Sequence, residues 1–313
     1  MSEREYFHRP DRGVVTIAGT ERASFLQGLI SNDIDLAGTG DAIWSALLTP
    51  QGKFRHDFFL LDDPNQTDAP SYMIDCEGGE RLMDFGITLR RYVLRAAVKL
   101  DIARDLAVFQ AHGDGAAAAL LLPDRPGAAV PFAGGVAFID PRDPLGGVRI
   151  MAPAEAAQAA LERAGFKPGD RAAWDAVRIP RGLPDGSRDL IVDKAVLLEN
   201  GFDELGGVDW KKGCYMGQEL TARTKYRGLV KKRLMPVRLS GHTTGGPQSG
   251  ALITLGGKEA GELRSTADGW GMALLRLKAV QSAAATGKPL EADGATVTPA
   301  PPEWLILGDS ETA

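Results

Sequence analysis

Cysteine is nearly missing from this chain: 313 residues hold two, Cys76 and Cys214. Two thiols cannot make a disulfide framework, and a chain of this length does not need one. Histidine is almost as scarce. His8, His56, His112 and His242 are scattered, none at ligand spacing from a cysteine or another histidine, so no zinc site can be read. No apolar run approaches the ~18–20 residues of a membrane span. The charged opening MSEREYFHRPDRG lacks the apolar stretch of a secretory leader. Together these absences give the expectation of a soluble, cytoplasmic protein. Basic charge is not in excess either, since 36 Lys and Arg against 41 Asp and Glu leave −5. Nucleic-acid binding normally leaves a basic footprint, so that class is disfavoured. The patterns GxGxxG, GxxxxGK(S/T) and GxSxG do not occur in a phosphate-binding or nucleophile-elbow context.

What is present is an ordinary globular composition, 44% hydrophobic and 25% charged, with 38 glycines that call for many turns. The length, roughly twice the ~150 residues of a typical domain, predicts two or three domains. Gly13 to Ala18 reads as a strand, and Thr20 as the cap of a helix whose buried face carries Phe25, Leu26, Leu29 and Ile30. Ala42 to Leu48 is a strand covered on both faces. The turn Pro50-Gln51-Gly52 leads into a second strand, Phe54 to Leu61, making a hairpin that carries Asp57. Asp62 to Pro70 is a surface loop. Helices are expected over Glu80 to Leu94, Ala154 to Ala164 and Asp170 to Ile179. Strands are expected over Val98 to Ile102, Leu106 to Gln110, Val136 to Ile139 and Val148 to Met151, with a loop over Pro123 to Gly135. The mixture lacks a regular βαβ rhythm, which favours α+β. Beyond Gly228, short apolar runs between Gly, Pro and Ser clusters predict an antiparallel β-barrel-like domain, 229–313, after a core of two possibly interleaved α+β subdomains, 1–228.

The informative stretch is WKKGCYMGQELTARTKYRG, Trp210 to Gly228. A helix opening near Gly217 leaves Cys214 just before its N-terminus. The helix start and the neighbouring Lys211 and Lys212 then favour the thiolate, the reactive form. The competing reading is a small buried cysteine with no chemistry. Glu219 and Arg223 stand at i,i+4, a helix-stabilising pair. Lys225 to Arg233 is either a solvated edge or a surface for an anionic partner. Asp57 is either turned to solvent or partly buried, and burial would suit it to proton transfer.

The segment KGCYMGQE, Lys212 to Glu219, resembles the K-x-C-Y-x-G-Q-E signature of the YgfZ family of folate-binding proteins. The match continues through Ala222-Arg223, Lys225 and Arg227-Gly228. FLQGLISNDI (Phe25 to Ile34), LLTPQGKFRHDFFLLD (Leu47 to Asp62) and RIPRGLPDG (Arg178 to Gly186) follow the family's order, so the resemblance covers most of the chain. The version here looks closest to the α-proteobacterial and mitochondrial branch, whose members assist iron–sulfur cluster assembly. The resemblance implies the glycine-cleavage T-protein (aminomethyltransferase) fold: two α+β subdomains and a C-terminal β-barrel around an opening that takes tetrahydrofolate. It implies a role in synthesis or repair of iron–sulfur clusters, with assembly or client proteins as partners and Cys214 beside the folate cavity. Lys212, Tyr215, Gln218, Glu219 and Arg223 become the cofactor-binding candidates. Asp57 falls in the segment resembling the T-protein's acidic folate-site strand, in an alignment ambiguous by one residue with His56. Three departures matter. The T-protein's VSHMG-like segment near the N-terminus has no counterpart in HRPDRGVVTIAG. Pro180 stands where the T-protein's R-x-E-A-G stretch has its folate-contacting glutamate, and the paired aspartates are reduced to His56-Asp57. Aminomethyl transfer from a lipoyl carrier is therefore not expected. A different tetrahydrofolate-dependent one-carbon transfer, with Cys214 and Asp57 as the chemical groups, is the alternative. A thiol-bearing adaptor that binds a cluster carrier through Lys225 to Arg233 is a third.

Overall fold

The structure, a computed structural model, describes residues 3–37, 40–65, 70–241, 245–305 and 307. His242 and positions 66–69 of the expected loop lie outside them. The chain divides into two units. The first takes Met1–Pro50, Arg55–Arg171 and Gly206–Met216; the second takes Gln51–Phe54, Ala172–Leu205 and Gly217–Ala313.

The first unit opens with strands β1 (Glu5–His8) and β2 (Arg12–Ala18) and the short helix α1 (Arg22–Gln27). Thr20 does not cap α1. Glu21 holds that position with no side-chain cap, its carboxylate instead accepting from the Ala97 N–H at 2.6 Å. The expected hairpin follows as β3 (Ile43–Leu48), buried along its whole length, and β4 (Phe54–Asp62). Next come β5 (Ser71–Glu77), helix α2 (Glu80–Val93), β6 (Lys99–Ile102), β7 (Ala107–His112) and the single-turn α3 (Ala116–Ala119). The stretch read as a loop contains β8 (Ala129–Phe132), then β9 (Gly135–Ile139). Pro131 sits in β8 at no cost because β8 is an edge strand, where a missing N–H leaves no ladder bond unmade. Strand β10 (Val148–Ala152), helix α4 (Ala154–Arg163) and the two-residue β11 (Lys167–Pro168) complete the series.

These strands form two sheets, of order β3-β4-β5-β2-β6 and β11-β1-β7-β10-β9-β8. The period-2 alternation of strand side chains gives each sheet two faces. One face of the five-stranded sheet carries Val15, Ile17, Phe58, Leu60 and Ile74 against Leu26, Phe85 and Leu89 from the helices. The six-stranded sheet packs Phe109, Ile139, Val148 and Ile150 against Leu120, Ala157 and Leu161.

The second unit holds all of helix α5 (Arg171–Arg178) but its first residue, and α6 (Gln218–Tyr226). Its strands are β12 (Lys232–Ser240), β13 (Leu252–Leu255), β14 (Lys258–Ala267), β15 (Trp270–Arg276), β16 (Leu290–Ala292) and β17 (Ala295–Pro299), with α7 (Leu277–Thr286) between β15 and β16. They close into a barrel in the order β12-β15-β14-β13-β16-β17. The architecture is therefore α+β with a closed antiparallel β-barrel in its C-terminal part. Closure removes the unpaired edges that an open sheet would leave. Met235, Val237, Leu263, Ala273, Leu275 and Val297 fill the interior. At Gly271 a Cβ would come within 2.7 Å of Leu263 Cδ1, so glycine is what lets these strands pack.

The RIPRG stretch anchors the barrel within this unit. Arg178, wholly buried, donates to Asp175 at 2.5 Å, Asp189 at 2.7 Å, the Leu183 carbonyl at 2.9 Å and Ser265 Oγ on β14 at 2.7 Å. Gly182 adopts φ +72° with Trp304 packed where a side chain would be.

Candidate functional site

The cysteine motif crosses from one unit into the other, with Lys212 to Met216 in the first and Gly217 onward in the second. Within the first unit a set of hydrogen bonds from the α1–β3 connection seats it. Ser31 Oγ donates to the Gly207 carbonyl at 2.6 Å, and Asn32 Nδ2 to the Gly206 and Trp44 carbonyls, each at 2.8 Å. The Asp209 carboxylate accepts the backbone N–H groups of Lys211 and Lys212 at 2.6 and 2.9 Å, an Asx turn. Lys212 then folds inward. Its ammonium donates to the carbonyls of Ile30 and Asn32 at 2.6 and 2.7 Å and lies 5.3 Å from the Tyr215 ring centroid. Burial pulls Lys212 down to about 8, against the attraction of Asp33 and Asp209. Finally the Met216 N–H donates to the Gly28 carbonyl at 3.0 Å. Gln27, whose Nε2 donates to Asp33 at 2.8 Å and whose Oε1 accepts from the Ile34 N–H at 3.0 Å, joins Ser31, Asn32 and Asp209 as positioning residues that spacing alone did not single out. Gln27, Ser31 and Asn32 lie in the FLQGLISNDI segment, which was their signal, whereas Asp209 stands just before the cysteine motif.

Between these anchored neighbours Cys214 is exposed, and Gly213 before it has φ +92°. Tyr215 is buried. Helix α6 starts at Gln218, four residues on, behind Gly217 at φ +80°. Gln218 is half-buried, while Glu219 and Arg223 are exposed. No ion pair joins Glu219 to Arg223 among the described residues, contrary to their i,i+4 spacing. The basic run divides: Lys225 pairs with Asp203 at 3.0 Å, and Arg233 is buried on Glu204 and the Leu198 carbonyl. The other cysteine, Cys76 on β5, is fully buried, and burial pushes its thiol far up.

His56 and Asp57 are adjacent on β4 and so point to opposite faces. His56 faces α2, with its Nε2 2.9 Å from Asp84 and its ring edge-on to Phe85 at 5.2 Å. Burial, with Arg81 nearby, lowers it to about 4. Asp57 faces the six-stranded sheet, in a buried charged cluster. There Arg12 on β2 pairs with Asp75, Arg149 on β10 pairs with Asp75 at 2.9 Å, and Arg142 pairs with Asp140 at 2.7 Å. Phe59 lies beneath all three of these cations, 3.9 Å from Arg149, 4.9 Å from Arg142 and 5.8 Å from Arg12. Among the described residues Asp57 joins none of the ion pairs. Trp44 Nε1 donates to its Oδ2 at 3.0 Å, and Oδ1 is buried with no hydrogen-bond partner. Burial pushes its carboxyl above the ordinary range, outweighing the pull of Arg12. Of the two readings of Asp57, burial is the one realised, and more completely than hairpin position suggested. Among the described residues no three His, Cys, Asp or Glu side chains gather at metal-binding range, and no helix is long and apolar enough to cross a membrane.

Residues 231–306 match the family described as the C-terminal β-barrel domain of CAF17. The fold is similar to that of glycine cleavage system aminomethyltransferase T from Bartonella henselae, with a TM-score of 0.75 over 95% of this chain and 85% of that one; at 16% identity this likeness concerns the fold alone. The mouse mitochondrial iron–sulfur cluster assembly factor IBA57 is 32% identical over 95% of this chain and 84% of its own length. The human protein is 31% identical over 86% and 76%. The Mycosarcoma maydis homologue is 31% identical over 78% of this chain, which spans 59% of that relative's length. These relatives are named as mitochondrial, which overturns the expectation of a cytoplasmic protein. They also refine the family: rather than YgfZ specifically, the likeness is to this assembly-factor group. By identity and coverage, the chain belongs to the IBA57 family of iron–sulfur cluster assembly factors.

Proposed function

We propose that the chain is an accessory protein of iron–sulfur cluster synthesis or repair that presents Cys214 as its working thiol and binds tetrahydrofolate. The observation that supports this most is the contrast at the motif: Cys214 is exposed, while Lys212 and Tyr215 on either side are buried and fixed. A structural thiol gains nothing from such anchoring, whereas a nucleophile or iron ligand needs both access and a fixed backbone. Clusters are usually held by several cysteines. This chain has two and one is buried, so any cluster contact through Cys214 is shared with a protein partner. Cys214→Ser and Cys214→Ala, introduced into cells lacking the protein, are expected to melt like the parent and to lose most restoration of iron–sulfur enzyme activity. Full restoration by both would remove the thiol from the mechanism.

The residues fit a folate in one respect. Asp57 Oδ1 is an orphaned buried acceptor, and a pterin presents an N–H edge that a carboxylate holds. Asp57 would take that edge while Trp44 fixes its other oxygen. Bound tetrahydrofolate would supply one-carbon carriage. Titration by fluorescence quenching is expected to give binding that Asp57→Asn weakens about tenfold, the scale of one charged hydrogen bond. Arg223→Ala tests separately whether that exposed cation meets the glutamate tail. The alternative, a tetrahydrofolate-dependent one-carbon transferase, is favoured by the raised Asp57 carboxyl, which suits proton transfer. It requires turnover of a methylamine donor with tetrahydrofolate, abolished by Asp57→Asn.

A further inference from the structure

The exposed side of helix α2 carries a stripe that the cysteine site does not use. Met83, Ile87, Arg90 and Leu94 recur at spacings of four, three and four, which places them on one face, opposite the buried Phe85, Thr88 and Leu89. Met83 is 53% exposed, Ile87 49% and Leu94 88%. Leu94 also ends the helix at φ +44°, a conformation costly for a bulky residue. Leu94 is thus both strained and exposed. Beside it lies an open groove of about 530 Å³ lined by Arg90, Val93, Leu94, Val98, Lys99 and Leu100.

Strand β6 forms the floor of that groove and is the edge of the five-stranded sheet. The Ala103 N–H donates to Val14 O at 3.0 Å, and Asp101 and Lys99 are opposite Thr16 and Ala18 on β2. By the alternation of antiparallel ladders, Leu100 and Ile102 then turn their backbone groups outward. The Ile102 N–H is covered by Asp101 Oδ1 at 2.8 Å. At this sheet edge the Leu100 N–H and C=O meet no further strand among the described residues, and they are the pair one added strand residue can satisfy. Around this point Arg90, Arg91 and Arg95 are all exposed, with no hydrogen bond or ion pair among the described residues.

We propose that this edge receives an extended acidic segment of a partner protein, paired to Leu100, with an apolar side chain in the groove and carboxylates against Arg90, Arg91 and Arg95. Strand addition of this kind draws affinity from main-chain hydrogen bonds and specificity from side-chain pockets. A second copy of this chain is a poor occupant, because edge-to-edge pairing would bring the same arginines together. A lipid surface would leave the Leu100 backbone pair unmet.

The test uses the full chain and a fluorescein-labelled peptide alternating aspartate with valine, followed by anisotropy, with deuterium exchange at the Leu100 amide. Saturable binding and slowed exchange at Leu100 are expected. N-methylation of the peptide's central residue should weaken binding at least about tenfold, as should combined R90E, R91E and R95E, and a lysine–valine peptide should bind the reversed variant. Leu94→Gly should raise the melting temperature by relieving the backbone, yet weaken the peptide. No saturable binding, indifference to N-methylation, or capture of phosphatidylserine-containing vesicles in place of the peptide would each overturn the proposal.

Discussion

At the scale of single residues, two anchored groups carry measurable consequences. His56 is neutral in the native chain down to about pH 4, against an ordinary value of 6.5. Between those values the unfolded chain binds a proton at this imidazole and the native chain does not, so stability falls as pH drops. The full loss is about 3 kcal/mol. Urea midpoints between pH 7 and pH 4 should show it, and His56→Gln, which keeps a donor toward Asp84, should flatten the slope. Lys212→Met leaves the Ile30 and Asn32 carbonyls without their donor and should cost about 1–3 kcal/mol in a thermal melt. The parent's stability should also rise between pH 8 and the ordinary lysine value of 10.5, as the native ammonium loses its proton first. The motif containing Lys212 and Cys214 was legible in the sequence because its spacing is dense. The environment of Asp57 was not, since Arg142 and Arg149 arrive from strands and turns far along the chain and no local pattern announces them.

At the scale of elements, what could be read was what periodicity writes. The buried strand β3, helix α2 and the apolar barrel strands stood out because one face or both are continuously hydrophobic. Strand β14 escaped: KEAGELRSTA is polar and broken by glycine, and a bulge between Leu263 and Thr266 disturbs its alternation. The RIPRG stretch shows how a family segment can turn out to hold structure. Arg178 on α5 satisfies two buried aspartates at once. Arg178→Met should therefore destabilise the protein by about 3–5 kcal/mol, the penalty of stranded buried charge. A melt unchanged by that substitution would mean that Asp175 and Asp189 find other partners, Arg188 being the nearest at hand for Asp175 at 2.6 Å.

For the whole molecule, the barrel does not end where its strands end. Arg178 reaches Ser265, the Arg181 carbonyl accepts from Trp304 Nε1 at 2.9 Å, and Arg233 is held by Glu204, all inside the second unit. A fragment of residues 229–313 lacks Arg178, Arg181 and Glu204. It should melt below the parent and bind a hydrophobic dye, whereas the same strands joined to residues 172–205 should resist both.

The unequal burial of the two cysteines has a practical result. A thiol-alkylating reagent should add one mass increment to the folded chain, at Cys214, and a second only in molecules whose β5 has come away from its sheet. Counting doubly labelled chains in a mass spectrum would thus report the opened fraction inside a living cell, with no probe added to the protein and each molecule tallied by its own chemistry.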